Sequence, residues 1–228
     1  MAIAILLVAV IAALAYLPQM WVRNVIAAHA AERPDIPGTG GELARHLLDE
    51  MKLFHVKVEQ TDKGDHYDPD TKTVRLLPQH MNGRSLSAIV IAAHEVGHAI
   101  QDATGYAPLA ARTRMARQAA AVEKFGSVIM LAAPVVMILA KAPFLMLVQM
   151  MAGVLVLGFT VLMHAVTLPV EFDASFSRAL PVLRAGGYIE DKDLKSARRI
   201  LRAAAFTYVA AAAMSILDVM RWFRVLRF

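Results

Sequence analysis

The residues best suited to chemistry lie in the segment His94-Glu95-Val96-Gly97-His98. Two histidines four positions apart on a helix share one face, so both imidazoles can bind the same metal ion. Glu95 lies on the neighbouring side of the same turn, where a carboxylate can act as a general base without binding the metal. The spacing predicts His94 and His98 as zinc ligands and Glu95 as the catalytic residue of a zinc hydrolase.

A buried helix is predicted around this segment. Residues 88–93 before it and 99–101 after it carry no charge, as a helix in a protein interior requires. Ser85 or Ser87 can cap the start of the helix, and Gly105 can end it. In the alternative interpretation, the two histidines are buried and bonded only to backbone or carboxylate groups.

The segments before the motif predict a small α+β domain. A helix is expected over residues 41–53, because its apolar side chains fall on one face that can pack on the metal-binding helix. Residues 55–60 and 71–77 alternate between apolar and polar side chains, and the turn-rich segment 62–70 separates them. A short β-hairpin beside the metal-binding helix is therefore expected.

The composition indicates a membrane protein. The chain is 57% hydrophobic, its mean hydropathy is +0.49, and uncharged apolar runs interrupt the polar segments. The fold class expected is a mainly α membrane protein with three or four transmembrane helices in contact with the lipid bilayer. The expected divisions are an anchor at 1–22, a metalloprotease domain at 23–124, a transmembrane hairpin at 125–170, a helical segment at 171–202 and a last helix at 203–228.

Two of these membrane segments have alternatives. The first apolar run could be a cleaved signal peptide, but no positive charge precedes it, so a retained anchor is favoured. The last segment could span the membrane or lie at its interface. A hairpin at 125–170 returns the chain to the side on which it entered, so the segment that begins at Glu171 should share a compartment with His94 and His98.

The charged residues exclude some functions and indicate a topology. The net charge is +5, but the basic residues are spread along the chain, which argues against a nucleic-acid partner. Basic residues flank the predicted hairpin on one side, which predicts a cytoplasmic active site. They are Arg112, Arg114, Arg117, Lys124, Arg198, Arg199 and Arg202. The absence of cysteine excludes disulfides and thiol catalysis.

A third metal ligand is expected after the predicted hairpin. A catalytic zinc site takes three protein ligands, and the third can be His, Glu or Asp. The segment Leu168–Ser175 offers Glu171 and Asp173. Acidic residues are also favoured at a helix N-terminus without any metal, so a purely structural role for both is the alternative.

Three blocks resemble one known family. Tyr67-Asp68-Pro69, HEVGHAIQ at 94–101 and LPVEFDAS at 168–175 occur in order between apolar runs, and in them the chain resembles the YugP-like neutral zinc metallopeptidases. The resemblance implies a zincin-like domain, one Zn²⁺ per chain and Glu171 as the third ligand. It also implies an integral protein of the bacterial inner (cell) membrane.

The resemblance leaves the supporting residues open. Looser membrane-bound relatives carry an aspartate four residues after the third ligand, whereas this chain has Ser175 there and Asp173 two residues after Glu171. Asp173 is a candidate partner of a ligand, and Tyr67 and Arg178 are candidates to stabilise an oxyanion. His66, His80 and Tyr188 are further candidates for that role.

The sequence thus predicts a membrane-embedded zinc metalloprotease, with an endopeptidase favoured. A zinc-activated water would hydrolyse the peptide bond, and Glu95 would be the general base. The expected partner is a protein or peptide substrate in or near the membrane, and oligomeric state is left open. The alternative is a zinc-binding membrane scaffold or assembly factor, in which the metal is structural.

Overall fold

The computed structural model describes residues 2–119 and 143–207. Its helices are α1 (Ala2–Ala27), α2 (Gly40–Glu50), α3 (Pro78–Met81), α4 (Leu86–Ala103), α5 (107–119), α6 (Pro143–Phe172), α7 (Leu180–Ala185) and α8 (194–207). A π-helical segment, Asp173–Ala179, joins α6 to α7, and a short 3-10 turn, Asp191–Asp193, precedes α8. The strands are β1 (Lys57–Gln60), β2 (His66–Asp68) and β3 (Thr73–Leu76).

Helix α4 carries the HEVGH segment through the centre of the protein. The Ser85 hydroxyl accepts a hydrogen bond from the backbone N–H of Ala88, which caps the start of the helix. At the other end Gly105 adopts a φ of 65°, and the N–H of Tyr106 donates to the carbonyl of Gln101. Both predicted helix boundaries are confirmed, and nearly every side chain between them is buried.

Helix α2 packs on α4, as its apolar face predicts. Thr39 forms a capping box with Glu42, which satisfies two backbone N–H groups at the start of α2. A Cβ atom on Gly40 would lie 2.8 Å from the carbonyl oxygen of Ala88, so the two helices approach closely where α4 begins. The buried leucines of α2 join the same core as α4, and they are Leu43, Leu47 and Leu48.

The sheet differs from the predicted hairpin. Its strand order is β1-β3-β2, with β1 parallel to β3 and β2 antiparallel to β3. The two predicted strands do pair, but the parallel arrangement excludes a hairpin between them. The segment interpreted as a turn contains β2, whose Tyr67 side chain is buried while the flanking residues are half-buried. Because β2 is only three residues long and lies in a polar segment, the sequence pattern indicated a turn there.

The prediction of three or four transmembrane helices is wrong. Across residues 2–119 and 143–207, none of the helices combines the length and the apolar character needed to cross a membrane. Val22 of α1 and Val170 of α6, both from the predicted spans, lie in the protein interior, whereas other apolar side chains of these helices are exposed, among them Leu17, Phe144 and Leu155. A count of apolar residues does not distinguish burial by protein from burial by lipid. The parts of the predicted spans at 125–142 and 208–228 lie outside the described residues.

Candidate metal centre

His94, His98 and Glu171 converge on one point in the interior. Oε2 of Glu171 lies 3.2 Å from Nε2 of His94 and 3.5 Å from Nε2 of His98. Ligand atoms bound tetrahedrally to zinc at 2.0–2.1 Å lie about 3.3 Å from one another, so these separations match a shared ion. The sequence offered Glu171 and Asp173 as third ligands, and the geometry favours Glu171.

The donor atoms suit a zinc ion in type and in environment. Two imidazoles and one carboxylate form one of the ligand sets of catalytic zinc sites. All three side chains are buried, and Glu171 is only 1% exposed. Oε1 of Glu171 is a buried oxygen that accepts no hydrogen bond from the described residues. Burial by itself raises the pKa of Glu171, but His98 and His94 outweigh it, so the pKa lies below its usual range.

The π-helical segment brings Glu171 against α4. Segments of this kind insert an extra residue into a helical turn and are frequent at functional sites. The backbone contact is close, because a Cβ atom on Gly97 would lie 2.7 Å from the carbonyl oxygen of Ala174. Any larger residue at 97 would push the segment away from α4. The glycine of the HEVGH segment therefore permits the approach that places Glu171 beside the two histidines.

Ser175 orients the ring of His94. The serine hydroxyl lies 3.1 Å from Nδ1 of His94 and 3.5 Å from the carbonyl oxygen of Leu201. A hydroxyl that donates to the carbonyl can accept the Nδ1 proton of the ring. This arrangement leaves the lone pair of Nε2 directed towards Glu171 and the candidate metal position.

Gln101 orients the ring of His98 through a longer chain of contacts. Its amide nitrogen donates to the carbonyl of Val170 and to Oδ2 of Asp173, both at 2.8 Å. Those two oxygens can only accept, so the amide oxygen must face Nδ1 of His98, which lies 2.9 Å away. The Nδ1 proton of His98 is thereby fixed, and Nε2 is left free to bind a metal.

Asp173 supports this contact through its hydrogen bond with Gln101. Its Oδ2 atom also accepts a hydrogen bond of 2.8 Å from Nε of Arg178. Burial raises the pKa of Asp173, but the hydrogen bonds from Gln101 and Arg178 outweigh burial, so the pKa is lowered. Within the described residues, Asp173, which was predicted near the site, is linked to His98 through Gln101, and Arg178, also predicted there, is linked through Asp173.

Glu95 lies beside the three ligand residues, with only 6% of its surface exposed. Burial raises the pKa of its carboxyl group to about 7; His94 opposes this shift, and the negative charge of Glu171 adds to it. A carboxyl group that titrates near neutral pH can both accept and return a proton during one reaction. This is the behaviour required of the predicted general base.

Tyr67 is bonded away from the candidate metal position. Its hydroxyl donates to Oδ2 of Asp102 at 2.6 Å, and Nζ of Lys72 pairs with the same oxygen at 2.6 Å. Burial and the adjacent carboxylate raise the pKa of Tyr67 above its usual value. The contact joins β2 to the end of α4. The other oxyanion candidates also have hydrogen-bond partners: His66 bonds the carbonyl of Gly64, His80 bonds Asp65 and Tyr188 bonds His46.

Sequence reasoning missed four residues of the site, although the spacing of two of them from the metal ligands could have indicated their role. Ser175 stands four residues after Glu171, one helical turn away, where the looser relatives carry aspartate. Gln101 stands three residues after His98 on the same helix face. Gly97 and Arg112 carried no local signal, because their contacts depend on how α5 and the π-helical segment meet the site.

The family comparison agrees with this geometry. A family model described as "Putative neutral zinc metallopeptidase" matches residues 4–227. The chain belongs to this family. The family indicated by the three sequence blocks is therefore confirmed, and zinc is the metal that its description names.

One curated relative extends the comparison. "Putative membrane protease YugP" of Bacillus subtilis (strain 168) is 37% identical over 195 residues, which cover 81% of this chain and 79% of the relative. No solved structure matches the chain. The family and its relative thus support a zinc metallopeptidase, and the buried His/His/Glu group is the candidate site for its metal.

Proposed function

We propose that this protein hydrolyses peptide bonds with one zinc ion held by His94, His98 and Glu171. The observation that carries the proposal is the convergence of these three buried side chains with Glu95 beside them. Zinc, when bound, lowers the pKa of a water molecule and polarises the scissile carbonyl group.

The chain's own residues supply the proton transfers and the orientation. The Glu95 carboxylate accepts a proton from the attacking water and returns it to the nitrogen of the leaving amine. Ser175 and Gln101 hold the Nδ1 protons of the two histidines, so both rings keep their Nε2 lone pairs available. Burial of the group excludes bulk water and strengthens these interactions.

The substrate in this proposal is a protein or peptide, as the family description supports. The Bacillus relative is named a membrane protease. We extend membrane association to this chain.

The test compares zinc content and peptide cleavage in the wild type, Glu95→Gln and Glu171→Ala. We expect Glu95→Gln to retain zinc and to lose about 10²- to 10⁴-fold in cleavage rate, because it lacks the general base. Glu171→Ala should bind zinc more weakly. Glu50→Gln, on the exposed end of α2, is the matched control and should behave as the wild type.

Each outcome bears on a different part of the proposal. Normal cleavage by Glu95→Gln would contradict the assigned base, and full zinc affinity in Glu171→Ala would contradict the third ligand. A wild type that binds zinc but cleaves no peptide would favour the alternative of a metal-dependent scaffold, because a structural zinc site needs no general base.

A further inference from the structure

Arg112 lies beside the candidate metal centre, on a helix that the three sequence blocks do not include. The turn at Gly105 ends α4 and leads into α5. Leu109, on the first turns of α5, is 3% exposed and faces the interior. Arg112 follows three residues later, on the same side of the helix. The side chain of Arg112 is 25% exposed, so it reaches the site from its rim.

The two carboxylate oxygens of Glu171 have different neighbours. Oε2 faces the imidazoles of His94 and His98 at 3.2 and 3.5 Å. Oε1 has a different neighbour, because NH1 of Arg112 lies 3.5 Å from it in an ion pair. The guanidinium is thus next to one oxygen of the carboxylate and the two imidazoles are next to the other.

We propose that Arg112 is a positioning residue that acts through Glu171, by holding Oε1 so that Oε2 alone binds the metal. Carboxylates bind metals through one oxygen or through two. A catalytic zinc site keeps a position open for water, and a second carboxylate oxygen would compete for that position. The inference rests on the proposed zinc site.

Charge and shape favour arginine in this position. Glu171 is almost fully buried, and burial of a carboxylate is costly unless a positive partner is near. Arginine stays charged at all relevant pH values and presents several N–H groups in one plane, which suits a carboxylate oxygen held from the side. The guanidinium of Arg112 balances the charge at Oε1 without a hydrogen bond, and Oε2 is left for a metal.

The experiment uses cobalt(II) in place of zinc, because its visible absorption is stronger with four ligands than with five. The full-length wild type, Arg112→Gln and Arg112→Lys are loaded with cobalt, and Arg114→Gln, an exposed position on the same helix, is the control. We expect the absorption to fall in Arg112→Gln as Oε1 joins the metal, and lysine to restore it at least in part. With zinc, kcat for peptide cleavage should fall about tenfold or more in Arg112→Gln, with little change in KM.

An unchanged cobalt spectrum in folded Arg112→Gln would overturn the inference, as would a fall of equal size in Arg114→Gln. If Arg112→Gln does not fold, X-ray absorption spectroscopy of the zinc-loaded wild type tests the inference instead. Two carboxylate oxygens bound to the metal would contradict it. The spectra are independent of catalysis. A wild type without peptidase activity would therefore count against the proposed function alone, whereas an unchanged spectrum with normal activity would count against Arg112 alone.

Discussion

His94 and His98 lie one helical turn apart, yet different kinds of contact orient their rings. The His94 ring is held by a single hydroxyl from Ser175, which is fully buried in the π-helical segment. The His98 ring is held by the amide of Gln101, which leads on to Asp173 and Arg178. The side chains of Asp173 and Arg178 are 20% and 18% exposed, so the second chain of contacts ends near solvent.

The difference shows how two ligands of one metal can depend on different forces. The contacts that orient His94, which form the His94 side of the site, depend on close backbone packing. Ser175 reaches the ring only while the π-helical segment stays against Gly97. The contacts that orient His98, which form the His98 side of the site, depend on hydrogen bonds and charge, since Gln101 bonds both a carbonyl and a carboxylate. Substitutions on the two sides should therefore have distinguishable effects on zinc binding and stability.

The largest effect is expected from Gly97→Ala, which disturbs both sides at once. The new methyl group would lie 2.7 Å from the carbonyl oxygen of Ala174, so the π-helical segment must move. Overpacking of this kind costs about 1–3 kcal/mol of unfolding free energy. Because Glu171 lies three residues before Ala174 and Ser175 lies directly after it, zinc affinity should fall about 100-fold. Denaturant unfolding and competition with a chromophoric zinc chelator measure the two effects.

Gly158→Ala is the matched control for this substitution. Gly158 also lies in a helix, but a Cβ atom there would meet no atom of the described residues within 4 Å outside its own helix backbone. Alanine favours helix over glycine by about 0.5–1 kcal/mol, so this variant should be unchanged or slightly more stable. If Gly97→Ala bound zinc as tightly as Gly158→Ala does, the close approach would have no role in forming the site.

The second largest effect is expected from Gln101→Leu, which breaks the His98 side alone. Leucine fills most of the volume but leaves Nδ1 of His98 without its acceptor and removes the donor to the carbonyl of Val170 and to Asp173. Each buried polar group left unpaired costs about 1–3 kcal/mol. Zinc affinity should fall about 10- to 100-fold, as is usual when the partner of a metal-bound histidine is lost.

The exposed Gln79→Leu is the control for Gln101→Leu, and its unfolding free energy should change by less than about 0.5 kcal/mol. Wild-type zinc affinity in Gln101→Leu would show that the ring of His98 needs no partner. It would also mean that Asp173 and Arg178 do not affect zinc binding through Gln101.

The comparison also shows which features a sequence reveals. The spacing of His94 and His98 and the caps of α4 depend on residues a few positions apart, so local helix geometry predicts them. The bond from Ser175 to His94 joins positions 81 apart, and the bond from Gln101 to Val170 joins positions 69 apart. Such pairs depend on how helices meet in three dimensions, and no local pattern in one sequence encodes that meeting.

The sheet and the apolar runs illustrate the same limit. Strand β2 is three residues long and rich in polar side chains, so composition indicated a turn where pairing with β3 produces a strand. Apolar residues in α1 and α6 indicated membrane spans, but Val22 and Val170 are buried in the protein, while Leu17 and Phe144 are exposed. In both cases tertiary contacts decide the structure, and the sequence pattern is compatible with more than one outcome.

A smaller effect is expected from Ser175→Ala, which breaks the His94 side alone. The hydrogen bond with Nδ1 of His94 and the longer one to the carbonyl of Leu201 are both lost, and a buried hydrogen bond contributes about 1 kcal/mol to the unfolding free energy. Zinc affinity should fall about tenfold, less than in Gln101→Leu, because the ring remains packed between α4 and the π-helical segment. Chelator competition on Ser175→Ala and Gln101→Leu, measured side by side, gives this order directly.

Ser87→Ala provides a control of similar chemistry. Ser87 is also fully buried, and its hydroxyl donates to the carbonyl of His29 at 3.1 Å. The variant should lose comparable stability but keep wild-type zinc affinity, because Ser87 lies two turns before His94. Equal losses of zinc affinity in Ser87→Ala and Ser175→Ala would mean that general destabilisation, and not the lost contact with His94, weakens binding.

The smallest effect is expected from Asp173→Asn and depends on pH. The pKa of Asp173 in the folded protein lies below its ordinary value of 3.8, despite burial, because Gln101 and Arg178 bond the carboxylate. A lowered folded pKa means that the stabilisation is fully present above the ordinary pKa and is lost as the pH falls through the folded value. At neutral pH metal-free Asp173→Asn should therefore unfold more easily than the metal-free wild type, by up to about 1 kcal/mol. The difference should begin to shrink as the pH falls below about 4, the ordinary pKa of Asp, and should vanish only below the folded pKa. The exposed Asp62→Asn corrects for the loss of one charge. A difference that stayed constant with pH would show that Asp173 contributes through shape alone, and the His98 side would then depend on packing as the His94 side does.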